Sequence, residues 1–136
     1  MGGFALFMKK NKLPRKSAFY PATASLQDEA GKPLVWEIRP LMTREAESIR
    51  LSCLCDNGKG GAALSGDFIP RLCAAAVVYP DLCDAALQDS YGVCTPHELL
   101  LELLDAPGEF NAFVSFVREQ SGLDITVAQL AEEAKN

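Results

Sequence analysis

The sequence contains no apolar run approaching the roughly 18 residues that a membrane-spanning helix requires. Its longest, Cys73 to Tyr79, is the length of a core element. Histidine occurs once, as His97, and tryptophan once, as Trp36. One histidine leaves little material for acid–base or metal chemistry. Acidic residues are missing from the first twenty positions, which hold Lys9, Lys10, Lys12, Arg15 and Lys16, and residues 81–136 contain only two basic residues. No internal repeat is visible. The start, Met-Gly-Gly-Phe-Ala-Leu-Phe-Met-Lys-Lys, puts its basic residues after the apolar segment. That order is wrong for a secretory signal. Leu6 stands where an N-myristoylation motif requires Ser or Thr.

What is present is a globular composition. The 136 residues are 49% hydrophobic and 23% charged, one ordinary domain's worth. We expect a single domain over 1–136: a basic arm at 1–16, a β-hairpin at 17–41 and a helical part at 43–136. Residues 1–80 carry eleven Lys/Arg against seven Asp/Glu, and residues 81–136 two against eleven, which is +4 against −9. So acidic a remainder repels phosphates, and the arm reads as a solvated tail suited to an acidic protein surface. No nucleic-acid or membrane partner is expected. Five cysteines, an odd number, fit a reducing cytoplasm.

Thr, Ser and aromatic residues at 17–27, the turn-rich 28–33, and alternating Leu34, Trp36 and Ile38 predict the hairpin. Thr43 is placed to cap a helix striped by Ala46, Ile49 and Cys53. A Gly-rich loop at 57–61 precedes a helix from about Asp67 to Tyr79, stopped by Pro80, and a short helix at 81–91. Thr95-Pro96-His97-Glu98 is a capping box opening a helix with Leu99, Leu100, Leu103 and Leu104 inside. Pro107 opens another, with Phe110, Phe113, Val114 and Val117 inward, Phe116 off that stripe and exposed, and Gly122 closing it. Thr126 to Gln129 is a second capping box that starts a last helix. The expected fold is α+β and predominantly α-helical, an N-terminal β-hairpin followed by about five or six helices.

Enzyme readings lack parts. The glycines around Lys59 are not followed by the Lys-Ser/Thr pair of a phosphate loop. Ser65-Gly66-Asp67 lacks a nucleophile elbow. His97 lies inside a helix N-terminus, where the dipole disfavours its protonated form, and a solvent-exposed structural role is expected. Cys53-x-Cys55 and Cys94-x-x-His97 fall short of paired zinc knuckles, so no metal, cofactor or catalytic residue is assigned. Cys73 and Cys83 read as small core hydrophobes, Cys94 as packing toward Leu99, and Trp36, Tyr79 and Tyr91 as inward-facing. The alternative from another class is a small metal- or nucleic-acid-binding regulator using the cysteines or the arm.

The stretch Val77-Val78-Tyr79-Pro80-Asp81-Leu82, continued by Asp84-Ala85-Ala86-Leu87-Gln88-Asp89-Ser90-Tyr91-Gly92-Val93, resembles the XkdN-like family of phage tail assembly chaperones. The similarity extends upstream through Gly31-Lys32-Pro33 and Trp36-Glu37-Ile38-Arg39, and downstream to Pro107-Gly108-Glu109-Phe110. It spans about residues 4–120, in family order. The resemblance implies a non-catalytic role in the bacterial host cytoplasm, binding the tape-measure protein, with the tail tube protein as a further partner. Weak self-association is also expected. Phe4, Phe7, Phe116, Val127 and Leu130 are the candidate partner-binding residues. Such chaperones often occur in a short and a frameshifted longer form, and Ala134-Lys135-Asn136 is encodable by an adenine-rich run on which ribosomes slip.

Overall fold

A computed structural model describes residues 3–56, 58 and 60–123. The expected last helix, with Thr126, Val127 and Leu130, lies outside them.

Strand β1 (Ala18–Tyr20) pairs antiparallel with β2 (Trp36–Ile38), Ala18 opposite Ile38 and Tyr20 opposite Trp36. The hairpin is only loosely the expected one, because regular pairing stops at Pro21, which has no N–H to give a ladder. Beyond it Thr23 spends its hydroxyl locally: its Oγ1 accepts the Ser25 N–H and donates to Glu109 Oε1 at 2.6 Å. Side-chain bonds of this kind compete with strand pairing. The turn does fall where its residues put it, since Asp28 Oδ1 accepts the N–H groups of Ala30 and Lys32 and the Leu34 N–H donates to the Leu26 carbonyl.

Helix α1 (Thr43–Ser52) follows. Met42, not Thr43, occupies its N-cap and makes no side-chain cap; the Thr43 φ/ψ is already helical. No α1 residue is fully buried, although Ala46 and Ile49 pack against the core. What reads as a glycine loop is the turn of a second hairpin, β3 (Leu54–Asp56) with β4 (Ala62–Leu64). Gly58 and Gly60 adopt φ of +76° and +80° there, a region costly for other residues.

Helix α2 (Phe68–Ala76) ends three residues earlier than its apolar period suggests. Val77–Tyr79 is instead β5, which pairs antiparallel with β2 and completes a sheet of order β1-β2-β5. The switch is fixed by a distant partner, the Arg39 N–H donating to the Ala76 carbonyl at 2.8 Å. The short α3 (Ala85–Ser90) starts at Asp84, whose side chain accepts the Leu87 N–H. Thr95 caps α4 (Pro96–Leu103) by accepting the Glu98 N–H. Helix α5 (Pro107–Ser121) ends on Gly122 at φ +69°, with the Leu123 N–H returning to the Arg118 carbonyl, a glycine C-cap. Five α-helices and two small sheets among the described residues make an α+β fold.

One face of the sheet closes on the helices. Trp36 meets Phe113 edge to face with centroids 5.8 Å apart, and Leu72, Leu99, Leu100, Leu103 and Val117 surround them. At the buried end of α5 the Leu41 N–H donates to Ser121 Oγ at 2.8 Å. Ser121→Ala leaves that N–H without its acceptor and is expected to destabilise the fold by about 1–3 kcal/mol. Urea unfolding checks it, and an unchanged midpoint contradicts the assignment.

Candidate partner-binding surface

The N-terminal arm consists of two 3₁₀ turns, Gly3–Phe7 and Lys9–Asn11, neither burying any residue. They are held internally, the Asn11 side-chain amide donating to the Ala5 carbonyl. Phe4 is 90% exposed, Phe7 86% and Leu13 86%, an unusual display of apolar surface for so short a segment. Its apolar block, Phe4 to Met8, is followed by Lys9, Lys10 and Lys12, so the segment is amphiphilic in composition. The arm joins the body at Arg15, whose Nη1 donates to the Leu41 carbonyl at 3.1 Å and Nη2 to the Gln120 carbonyl at 2.7 Å. A guanidinium at the last carbonyls of α5 also sits at the favourable end of that helix's dipole. Arg15 was legible as one of five basic residues, but its service as the arm's anchor depends on the distant α5.

The outer face of the sheet is the second apolar surface. Register sets Phe19 opposite Glu37, and Glu37 opposite Tyr79, in one row across the three strands. Phe19 is 72% and Tyr79 65% exposed. Tyr79 is therefore not the inward aromatic its apparent helix suggested: as a strand residue it takes the face opposite Ile38. At the Trp36 end of this sheet an apolar groove of about 170 Å³ opens, lined by Leu34, Val35, Trp36, Tyr79, Leu87 and Tyr91, among others. Trp36 is buried as expected and Tyr91 is half-buried against the core.

Phe116 is half-buried, not exposed: its ring stacks on Tyr20 at 4.3 Å and 18°. The off-stripe position faces β1 because α5 lies under the sheet edge and so has two inward directions. Of the other candidate contacts, Phe4 and Phe7 stand free on the arm, and Val127 and Leu130 lie outside the described residues. Phe4 and Phe7 lie in the same 3₁₀ turn of the arm, whereas Phe116 packs on β1.

A larger open cavity of about 480 Å³ lies between α1, α2 and α4, with Arg39, Arg71, His97 and Cys83 among its walls. Its charges are already engaged. Arg39 pairs with Glu45, which holds the Glu45 carboxyl below its ordinary range and raises the guanidinium. Asp67 accepts from the Ser65 hydroxyl and from Arg71, and both hold it low. His97 is largely buried, its Nε2 3.6 Å from Asp67, because the N-terminal turn of α4 packs on α2. Cys83 and Cys94 are exposed, correcting their expected packing: Cys83 precedes α3 in the Asp81 turn and Cys94 precedes the Thr95 cap, both outside the helices that bury their neighbours. Cys73 is buried, and burial pushes its thiol up to about 12. Among the described residues no group of three His, Cys, Asp or Glu is arranged to hold a metal, and no helix is long and apolar enough to cross a membrane.

Glu109 joins the 21–25 segment to the first turn of α5. Its carboxylate accepts from Thr23 Oγ1 and from the Ala24 N–H at 2.8 Å, and these bonds hold its pKa down. A carboxyl depressed in the folded state stabilises at neutral pH, and that stabilisation disappears as pH falls through the folded pKa. Glu109→Gln is therefore expected to melt lower than the parent near pH 7, the gap closing only once pH has fallen through the depressed folded pKa, by about pH 2. Thermal melts at both values check the convergence; a gap that persists in acid assigns the effect to something other than the charge.

By fold this is a small α+β protein that presents apolar side chains along a basic arm and on one sheet face. The chain belongs to the phage XkdN-like tail assembly chaperone family, whose sequence model matches residues 4–135. It is 23% identical over 137 residues to the phage-like element PBSX protein XkdN of Bacillus subtilis (strain 168), covering 97% of this chain and 93% of that one. The crystal structure of the protein yqbn has the same fold, with a TM-score of 0.75 at 18% identity over 91% of this chain and 99% of that one.

Proposed function

We propose that this chain binds the tape-measure protein of a phage or prophage tail in the bacterial host cytoplasm and keeps it soluble until the tube forms around it. The observation that carries this reading is the exposure of Phe4 and Phe7 on a basic arm, in a chain that belongs to a family of tail assembly chaperones. A long helical protein with apolar stripes self-associates unless those stripes are covered. The arm supplies aromatic rings to cover them, and the net charge of −5 keeps the complex dispersed. The work is reversible contact, without bond chemistry. Phe4 and Phe7 are the first contacts; Phe116, Val127 and Leu130 are further ones, Phe116 through the ring edge left beside Tyr20. The tail tube protein is a second partner, met when the tape measure is handed over.

The test is calorimetric titration of the purified chain with a helical segment of the tape-measure protein at several temperatures. Apolar contact gives a negative heat-capacity change, and absence of binding removes this reading.

A further inference from the structure

Four carboxylates among the described residues are half-buried: Glu37, Glu45, Asp67 and Glu109. Taking a charged group part-way out of water costs free energy unless a partner replaces the lost hydration, and three of the four have one. Glu45 sits on Arg39, Asp67 on Ser65 and Arg71, and Glu109 on Thr23 and the Ala24 N–H. The Glu37 carboxylate accepts no hydrogen bond and pairs with no Lys or Arg among the described residues. Its neighbours are instead two exposed aromatic residues, Phe19 directly opposite on β1 and Tyr79 directly opposite on β5. Opposed residues bring their Cβ atoms within about 5 Å of each other, so an unpaired carboxylate stands between two rings on the outer sheet face. Neither ring stacks on another ring among the described residues.

We infer that this row receives an arginine side chain of a helical polypeptide partner. Arginine is the cation whose shape matches the row: its planar guanidinium stacks on aromatic faces and gives a carboxylate two parallel hydrogen bonds. A cation over Phe or Tyr is attracted by the ring as well. A lysine ammonium pairs with a carboxylate as a point charge, holds its water more strongly and has no face to stack. Tyr79 also lines the apolar groove beside Trp36, so an apolar side chain next to that arginine has a place of its own. The partner is therefore a helix that carries an arginine within an apolar stripe. This deepens the reading of the chain as one that covers the apolar stripes of a tape-measure helix, and rests on it for the identity of the partner. Designed peptides test it, so its failure leaves the arm's part in that reading standing, and failure of the tape-measure titration leaves the peptide result untouched.

The probes are two blocked, alanine-rich helical peptides with a leucine beside either arginine or citrulline, which keeps the side chain's shape without its charge. Fluorescence anisotropy of the labelled peptides against the full chain reads their affinities. Wild type is expected to bind the arginine peptide at least about tenfold more tightly than the citrulline peptide, with the preference shrinking as salt rises. Glu37→Gln keeps the side chain's size and is expected to bind the two peptides alike. Tyr79→Leu keeps an apolar surface without the ring and is expected to weaken the arginine peptide about threefold. The comparison of the two peptides is made on wild-type protein, so it decides the matter even if a variant fails to fold. Equal affinity for the two peptides on wild type, binding of neither, or an arginine preference that survives Glu37→Gln overturns the inference. So does tighter binding of the arginine peptide by K9Q/K10Q/K12Q that persists in high salt, which makes the chain's own arm the occupant of the row.

Discussion

Phe113→Ala is expected to destabilise the fold by about 3–5 kcal/mol. Phe113 is fully buried and its ring meets both Trp36 and Tyr20, so it joins α5 to two strands of the sheet. Its removal leaves a cavity within the main core cluster, and such a cavity adds to the lost transfer free energy. Domains of this size have about 5–15 kcal/mol of total stability, so the variant stands close to its unfolding transition at ambient temperature. Urea denaturation followed by Trp36 fluorescence measures the shift. A loss below about 1 kcal/mol, the centre of the range for arbitrary substitutions, removes Phe113 from the centre of the core.

The arm makes the opposite prediction. F4S/F7S is expected to leave stability within about 0.5 kcal/mol, as exposed positions do, while weakening tape-measure binding at least about a hundredfold. Each phenyl ring buried against a partner contributes about 1.5–3 kcal/mol, and tenfold in affinity corresponds to about 1.4 kcal/mol. Two rings therefore carry two decades even after part of the gain is lost to ordering the arm. Parallel melts and calorimetric titrations separate the two effects. Equal affinity for wild type and variant, with equal melting, places the contact surface elsewhere on the chain.

How far the sequence discloses this molecule depends on how local each signal is. Thr95-Pro96-His97-Glu98 marks the start of α4, and Gly122 the end of α5, because a cap is decided by residues within one turn of it. The 3.6 periodicity of Phe113 and Val117 likewise names core positions that the structure buries. Val77-Val78-Tyr79 defeats the same reasoning: its apolar residues continue the helical pattern of α2, and only pairing with Glu37 and Ile38, forty residues away, makes it a strand. The β3–β4 hairpin is lost for a related reason, since its strands are three residues long and largely exposed and so show no alternation. A longer apolar pattern would have announced it.

Side-chain placement follows the same division. The exposure of Phe4 and Phe7 has a local signal, a short apolar segment followed by lysines and cut off by Pro14, whereas the stacking of Phe116 on Tyr20 depends on the packing of α5 on β1. The groove was not legible at all. Its walls come from the hairpin connection, β2, β5, α3 and α4, which are brought together only by the tertiary fold.

The most direct measurement is co-expression of the tape-measure protein with and without this chain, followed by centrifugation of the lysate. Soluble tape-measure protein in the presence of the chain, co-purifying with it, and its return to the pellet with F4S/F7S is the predicted result. Equal amounts in the pellet with and without the chain contradict the account.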